Sequence, residues 1–235
     1  MEKENHETKT QKLKGGKTNT EFYVQLGIIA ILLVVIVFSF GKISSVSTSG
    51  NVATGIGSVS ALSVLPKGTP DIYGSELGVS YDDVSASNPS LAEVTISKLS
   101  QYEDAKLDNA TMARYIKIAG SISCEYCCGA KSIIFANGER ACGCAHSYAM
   151  RGLAKYLLIN HPDMTDEKIL NELGKWKVLF FPGVHEKKAE VLKANGIDYT
   201  DENLGYIYLA SNMYRGAENQ ATAGSSGGSQ MVGGC

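Results

Sequence analysis

The longest uninterrupted apolar stretch of the chain lies near its beginning. Residues 22–40, FYVQLGIIAILLVVIVFSF, carry no formal charge over 19 positions. A helix of roughly 20 apolar residues spans the hydrocarbon core of a bilayer, and a single spanning segment satisfies its backbone hydrogen bonds as a helix. We therefore expect one N-terminal transmembrane helix at 22–40, with the lipid bilayer as its partner.

Basic residues are distributed unequally on the two sides of this apolar stretch. Five lysines precede it, whereas only Lys42 follows closely. The positive-inside rule then places residues 1–21 in the cytoplasm as a tail and the rest of the chain outside the cell membrane. The pattern favours an uncleaved signal anchor. A cleaved secretory signal and a prepilin-like leader, for which Gly16 and Glu21 have the spacing, are the alternatives.

Two segments lack a regular apolar pattern. Residues 41–89 begin with an uncharged run rich in Ser, Gly, Val and Thr, which is typical of a flexible stalk, and continue as an irregular segment that leads into the domain. Residues 217–235 are rich in Gly and Ser and include Cys235, and we expect a disordered tail there. Between them, residues 90–216 are predicted to form a mainly helical extracytoplasmic domain.

Apolar residues recur at helical spacing from residue 91 onward. The Asn88-Pro89-Ser90 sequence is a helix-start signal, and Asp108 or Asn109 can cap the next helix. The predicted apolar faces of these two helices comprise Leu91, Val94, Ile96 and Leu99 in the first and Met112, Tyr115, Ile116 and Ile118 in the second.

Four further helices are predicted after the cysteine-rich stretch. The first covers residues 145–159, and the second is capped by Thr165 and ended by Pro182. The third ends at the C-cap signal before Gly196, and the last runs over about residues 200–215. The predicted buried face of the Thr165-capped helix comprises Ile169, Leu170, Leu173, Trp176 and Phe180.

Composition adds little to this picture but excludes several classes of protein. The 235 residues are 44% hydrophobic and 20% charged, with a formal net charge of −2. That balance excludes a collagen-like or largely disordered polymer, and it provides no strongly basic surface for nucleic acid. No serine-hydrolase elbow, phosphate loop or dinucleotide fingerprint occurs, so we assign no catalytic residue and consider an enzyme the less favoured class.

Five of the six cysteines fall within residues 124–144. A C-x-x-C-C-G sequence opens this stretch and a C-G-C-A-H sequence closes it. A β-hairpin turning at Asn137-Gly138 would bring the two groups together, and the start of a helix favours thiolate over thiol. We therefore expect a mainly α fold with a small β-hairpin metal-knuckle insert that is treble-clef-like in layout.

Thiolate and imidazole ligands in a tetrahedral arrangement suit zinc. Copper(I) is the alternative cofactor, because it also accepts soft sulfur and histidine ligands. Cysteines outside the cell often form disulfides, so cystine bridges and redox or catalytic thiols are the alternatives to a metal site. The candidate metal ligands are Cys124, Cys127, Cys142 and Cys144, with Cys128 and His146 in reserve.

Several stretches of the chain resemble known families. The sequences YDDVS, ISCEYCCGA, ACGCAHSYAMRGLAKYL and ELGKWKVLFFP, within roughly residues 73–182, resemble uncharacterised membrane-anchored cysteine-rich proteins of archaea. More loosely, Cys142-Gly143-Cys144 with the nearby His146 is similar to the PCYCGC-motif proteins of bacterial envelopes. These resemblances imply an envelope location and a metal or redox role, without a particular activity.

The sequence therefore predicts a single-pass membrane protein whose extracytoplasmic domain binds zinc or another soft metal through a cysteine-rich site. A thiol–disulfide redox protein of the cell envelope and a disulfide-stabilised surface interaction domain are the alternative functions.

Overall fold

The computed structural model describes residues 23, 64–124, 126–221 and 231–233. The chain divides into two units, Met1–Gly55 and Ile56–Cys235, and only the helical, exposed Tyr23 is described in the first. Apart from Tyr23, the predicted cytoplasmic tail, the predicted transmembrane helix and the predicted stalk before residue 64 lie outside the described residues. Within the described part of the chain, no helix combines the length and apolar character needed to cross a membrane.

Helices dominate the described part of Ile56–Cys235, which confirms the mainly α prediction. Helix α4 packs against α2, α3 and α5, and α5 packs against α7. The α-helices are α1 (Gly74–Leu77), α2 (Pro89–Ser100), α3 (Asn109–Gly120), α4 (Ala145–Asn160), α5 (Asp166–Phe180), α6 (Pro182–Ala194) and α7 (Gly205–Ala210). Short 3₁₀ helices lie at Tyr81–Asp83, Asn212–Tyr214 and Ala217–Gln220.

Side-chain caps set the starts of three of these helices. The side chains of Asn88, Asp108 and Thr165 each accept a hydrogen bond from the backbone N–H three residues later, at 3.3, 2.9 and 3.2 Å. Each bond satisfies a donor that has no partner within the helix. The predicted starts of α2, α3 and α5 are therefore confirmed, and Pro182 separates α5 from α6 as expected.

The buried face of α2 differs from the predicted one. Leu91 and Val94 are 37% and 49% exposed. At 100° per residue they lie outside the arc that faces the core. The residues that α2 does bury, one helical turn apart along a single face, are Ala92, Thr95, Ile96 and Leu99.

The last predicted helix is shorter than expected. Asp201 accepts hydrogen bonds from the N–H groups of Asn203 and Leu204, which makes a turn where the prediction began a helix. α7 covers only Gly205–Ala210, because Ser211 leaves the helix to form an isolated antiparallel bridge with Ile122.

The predicted β-hairpin is present only as a turn closed by one isolated bridge. Gly138 has φ +85°, as a tight Asn-Gly turn requires, and Ile134 bridges Arg140. The N–H of Ile133 donates to the carbonyl of Ile122 at 3.0 Å. The first arm of the turn is therefore hydrogen-bonded partly outside the hairpin, and the described residues contain no extended strand.

The core extends ahead of residue 90, where the sequence places the start of the domain. Tyr73 and Tyr81 are buried, and both hydroxyls donate to the Glu172 carboxylate in α5, at 2.9 and 2.6 Å. The Trp176 indole N–H donates to the Tyr73 hydroxyl at 2.7 Å. The predicted lead-in segment is thus bound to α5 from residue 73 onward.

Part of the predicted disordered tail is ordered as well. Val232 is 3% exposed, and its N–H donates to the carbonyl of Phe180 at 2.9 Å. Residues 231–233 therefore pack against the end of α5. Residues 222–230 and Cys235 lie outside the described residues.

A buried ion pair attaches the cysteine-bearing loop to α4. The Arg151 guanidinium, 1% exposed, donates to Glu103 at 2.7 Å and to the carbonyls of Ile133 and Cys142 at 2.9 and 2.8 Å. Burial opposes ionisation of Glu103, but hydrogen bonds from Arg140 and Arg151 outweigh it and lower the pKa of that carboxyl group. Glu103 is therefore ionised at neutral pH, and its negative charge balances the positive charge of Arg151.

Replacing Arg151 should destabilise the domain far more than replacing Arg140, although both donate to Glu103. Arg151→Met leaves buried carbonyls unsatisfied, and we expect a loss of about 3–5 kcal/mol in the free energy of unfolding. The Arg140 side chain is 46% exposed, so Arg140→Met should cost no more than about 1 kcal/mol. Urea denaturation measures both values, and equal losses would contradict the role assigned to Arg151.

His185 in α6 is buried in its neutral form. Burial is the main cause that lowers its pKa well below the usual value, and the charges of Lys177 and Lys188 act in the same direction. Its Nδ1 lies 2.8 Å from the carbonyl of Phe181. Since a carbonyl only accepts, Nδ1 carries the proton of the neutral ring.

This burial should make the domain sensitive to mild acid. The unfolded chain binds the His185 proton as the pH falls, whereas the folded chain does not, so the free energy of unfolding decreases by up to about 1.4 kcal/mol per pH unit below about pH 6.5. His185→Asn keeps an N–H donor near the Phe181 carbonyl and removes the titrating group. Urea denaturation between pH 7 and pH 5 should show a shallower decrease for the variant, and identical slopes would disprove the assignment.

Candidate metal centre

Cys144 is the residue that anchors the cysteine-rich stretch to α4. It is the N-cap of this helix, and its sulfur accepts the N–H of Ser147 at 3.4 Å and lies 3.3 Å from the Ser147 hydroxyl. The unpaired N–H groups of a helix start favour negative charge. The C-x-C sequence therefore delivers a thiolate to the beginning of a buried helix, as the sequence predicts.

Four side chains of the predicted set converge at this point. Each offers one ligand atom, and these atoms all lie within 4.8 Å of one another. Four ligands at about 2.3 Å from a tetrahedral ion are separated by about 3.8 Å, so only small side-chain adjustments would close them on a metal. The cluster consists of Cys124, Cys127, Cys144 and His146, and it could hold a metal ion.

The His146 ring is oriented for metal binding by a backbone carbonyl that is distant in the sequence. Its ring is fully buried, and Nε2 lies 2.8 Å from the carbonyl oxygen of Val232, so Nε2 carries the proton. Nδ1 is buried and has no hydrogen-bond partner among the described residues. Histidine ligands of metals commonly donate their other ring N–H to a carbonyl or carboxylate, which fixes the tautomer and the ring. The lone pair of Nδ1 is therefore available to an ion.

The two buried thiols share a proton. The sulfurs of Cys124 and Cys144 are 3.2 Å apart. The hydrogen bond between them, followed by burial, raises the pKa of the Cys124 thiol. The same hydrogen bond lowers the pKa of the Cys144 thiol, although burial opposes this, with further help from hydrogen bonds of Ser147. Cys144 thus carries the negative charge of the pair, and a metal would displace the remaining proton.

Oxidation divides the cysteines into two groups. Cys128 and Cys142 form a disulfide and lie outside the cluster, whereas Cys124 and Cys144 are free thiols. Cys127 is also disulfide-bonded in the structure, so it can act as a ligand only after reduction. A Cys₃His centre therefore belongs to the reduced protein.

The cluster differs in one member from the set of four ligands favoured by the sequence. Cys142, preferred as a ligand, is paired with Cys128, and His146, held in reserve, takes a place in the cluster. The position of His146 in the first turn of α4, two residues after Cys144, is the signal that favours it. Nothing in the local sequence indicates Val232, because its contribution is a backbone atom from a distant segment.

Comparison with known proteins does not assign this arrangement to a family. No family model, curated protein or solved structure matches the chain. The functional argument therefore depends on the side chains of the centre and their surroundings.

Disturbing the Val232 backbone should weaken metal binding although it removes no ligand. Val232→Pro deletes the N–H that bonds to Phe180 and so displaces the carbonyl that holds His146. Loss of such a supporting contact lowers metal affinity by about 10–100-fold. Val232→Ala, which keeps both backbone groups, is the matched control. Competition titration of the reduced protein with a zinc chelator measures the change, and equal affinities for the two variants would refute the positioning role.

Proposed function

We propose that this chain is a single-pass membrane protein whose extracytoplasmic domain binds one zinc ion through Cys124, Cys127, Cys144 and His146. The observation that carries the proposal is the convergence of three sulfurs and one imidazole within 4.8 Å. The buried Nδ1 of His146, which has no hydrogen-bond partner within the described part of the chain, supports it independently, because an unsatisfied buried acceptor is costly and a metal would satisfy it.

The donor set favours zinc over copper. Structural zinc sites are closed tetrahedra of cysteine and histidine, and a Cys₃His set supplies all four positions. Copper(I) is the alternative, because soft thiolates also select it. Elemental analysis of the purified protein separates the two metals.

The membrane location is supported by the sequence alone. Residues 22–40 form an uncharged apolar run of spanning length, with five lysines before it. This arrangement places the metal domain outside the cytoplasm, where cysteines readily form disulfides. An accessibility assay on intact cells, treated first with a reductant and then with a cysteine-specific label that both fail to cross membranes, tests this side assignment at Cys128, which is exposed once its disulfide is reduced.

The metal proposal is tested on the full chain, reduced and purified in detergent without chelators. We expect one zinc ion per chain. Cys144→Ser and Cys127→Ser should each lose most of the bound zinc, because serine is a poor zinc ligand and leaves a three-ligand site. Plasma mass spectrometry of the dialysed protein measures the metal content.

Cys142→Ser is the matched control for this experiment. It removes a cysteine of the same C-x-C sequence, but Cys142 lies outside the cluster, so the zinc content should stay at the wild-type level. A reduced wild-type chain without metal would overturn the proposal. Loss of zinc in Cys142→Ser equal to that in Cys144→Ser would replace the ligand set by the one that the sequence favours.

A thiol–disulfide redox protein of the envelope is the second candidate function. It is favoured by the Cys128–Cys142 disulfide, which lies beside a free thiol, Cys144, whose pKa is low. This function predicts reversible reduction of the disulfide and no metal at full occupancy in the reduced protein. The same metal measurement therefore separates the two candidates.

A further inference from the structure

The cysteine-rich stretch brings more sulfurs together than the proposed zinc centre uses. The Cys144 sulfur lies 3.2 Å from that of Cys124 on one side and 3.4 Å from that of Cys142 on the other. Cys142 is bonded in turn to Cys128. When the disulfides of the stretch are reduced, Cys128 and Cys142 therefore become two additional thiols beside a ligand of the centre.

Backbone contacts that survive reduction hold both additional cysteines in place. The carbonyl of Cys142 accepts a hydrogen bond from the buried Arg151 guanidinium at 2.8 Å. Cys128 follows a turn in which the N–H of Cys127 donates to the carbonyl of Cys124 at 3.4 Å, and its own sulfur lies 3.7 Å from that carbonyl oxygen. The Cα atoms of Cys128 and Cys142 are 6.8 Å apart, a separation from which two thiolates can turn onto one ion.

Cys144 is placed to join two ions. A thiolate sulfur has more than one lone pair, so it can bind an ion on each side. Cys144 is fixed as the N-cap of α4, and its sulfur contacts one thiol of the zinc set and one of the additional pair. A second ion bound by Cys128 and Cys142 would therefore share this sulfur with the first.

We propose that the fully reduced centre binds two copper(I) ions, the second of them held by Cys128 and Cys142 and bridged to the first through Cys144. This inference rests on the proposed metal function and adds a second position to the same site. The first ion takes the place assigned to zinc. All five cysteines of the stretch must be thiols, so the dinuclear centre belongs to the reduced protein, as the zinc centre does.

The additional position suits copper(I) and not zinc. A structural zinc ion requires four protein ligands, and Cys128, Cys142 and a shared Cys144 leave its tetrahedron open. Copper(I) selects soft thiolates, and an all-sulfur position with fewer ligands satisfies it. The same five cysteines should therefore hold one zinc ion but two copper ions.

A buried cation lies beside the stretch and favours the negative charge of such a centre. Several thiolates carry more negative charge than two monovalent ions cancel, and a buried net charge is costly unless an opposite charge is near. The Lys177 ammonium is fully buried and lies 5.1 Å from the ring centroid of Tyr126, within the turn between Cys124 and Cys127.

The number of bound copper ions tests the proposal. The full chain is reduced, purified in detergent without oxygen, and titrated with copper(I) against a chromogenic copper(I) chelator. We expect two copper ions per chain, whereas zinc under the same conditions should saturate at one. Saturation at one copper ion per chain would overturn the second position.

Three cysteine variants identify the ligands of the second ion. Cys128→Ser and Cys142→Ser should each reduce the copper content from two ions to one. Cys128 is exposed, so its replacement keeps the test valid if the buried Cys142→Ser variant fails to fold. Cys235→Ser is the matched control, because it removes a cysteine outside the stretch and should leave two ions. Two copper ions in Cys128→Ser, or one in Cys235→Ser, would contradict the assignment.

X-ray absorption spectroscopy tests the bridge itself. Two ions that share the Cys144 sulfur are close enough to give copper–copper scattering in the wild-type chain. Cys128→Ser, with a single ion, should lack this signal. Two bound copper ions without copper–copper scattering would overturn the bridging role of Cys144.

Zinc content, measured on the same reduced wild-type preparation, separates failure of this inference from failure of the proposed function. A chain that binds one zinc ion but only one copper ion overturns the second position, and the zinc centre stands. A chain that binds two copper ions but no zinc supports the second position and overturns the choice of zinc. A chain that binds neither metal overturns both proposals.

Discussion

The buried guanidinium of Arg151 is the constraint on which the geometry of the cysteine-rich stretch depends. One side chain neutralises Glu103 and satisfies two carbonyls, those of Ile133 and Cys142, which come from either side of the Asn-Gly turn. The next residue, Gly152, allows α2 and α4 to approach, since a Cβ there would lie 2.8 Å from the Cα of Ser100. The loop is therefore held to α4 by hydrogen bonds to its backbone. Its sulfurs keep their relative positions because the carbonyls between them are fixed.

A second constraint, between His146 and Val232, joins the centre to a segment remote in sequence. The Val232 side chain is buried, its N–H bonds to the end of α5, and its carbonyl accepts from the His146 ring. The phenyl rings of Phe180 and Phe181 pack against that ring at 4.6 and 5.0 Å, which excludes water from it. One nitrogen of this enclosed imidazole is bonded and the other has no partner among the residues that the structure describes, which carries a desolvation cost that an ion would remove. The orientation of the His146 ring and the position of residues 231–233 thus depend on each other.

The features that could be predicted from the sequence are those with a local physical cause. A side-chain oxygen that accepts the free N–H three residues later marks a helix start through a local interaction. The caps Asn88, Asp108 and Thr165 can therefore be predicted from the sequence. The buried face of α2 cannot be predicted in this way, because Leu91 and Val94 are more apolar than Ala92 and Thr95, which are buried instead. Only the packing of α2 against α4 distinguishes them. The end of α7 depends on the pairing of Ser211 with Ile122, a long-range contact. The choice of His146 over Cys142 as a ligand also depends on long-range contacts, since both residues lie close to Cys144 in the sequence. Cys142 is bonded to Cys128, and His146 is held by the carbonyl of Val232.

The cysteine-rich stretch holds more sulfurs than one tetrahedral ion requires, and the additional sulfurs lie in contact with the centre. A purely structural zinc site needs four ligands and gains nothing from a disulfide in contact with one of them, since an adjacent cystine exposes the ligand to exchange. A purely structural disulfide, in turn, needs no free thiols beside it, least of all one kept anionic at a helix start. The two arrangements share Cys144, which contacts Cys124 on one side and Cys142 on the other. Because Cys127 can act as a ligand only after reduction, the affinity for metal depends on the oxidation state of the cysteines around Cys144. That dependence is the property that neither a zinc site nor a cystine would have alone.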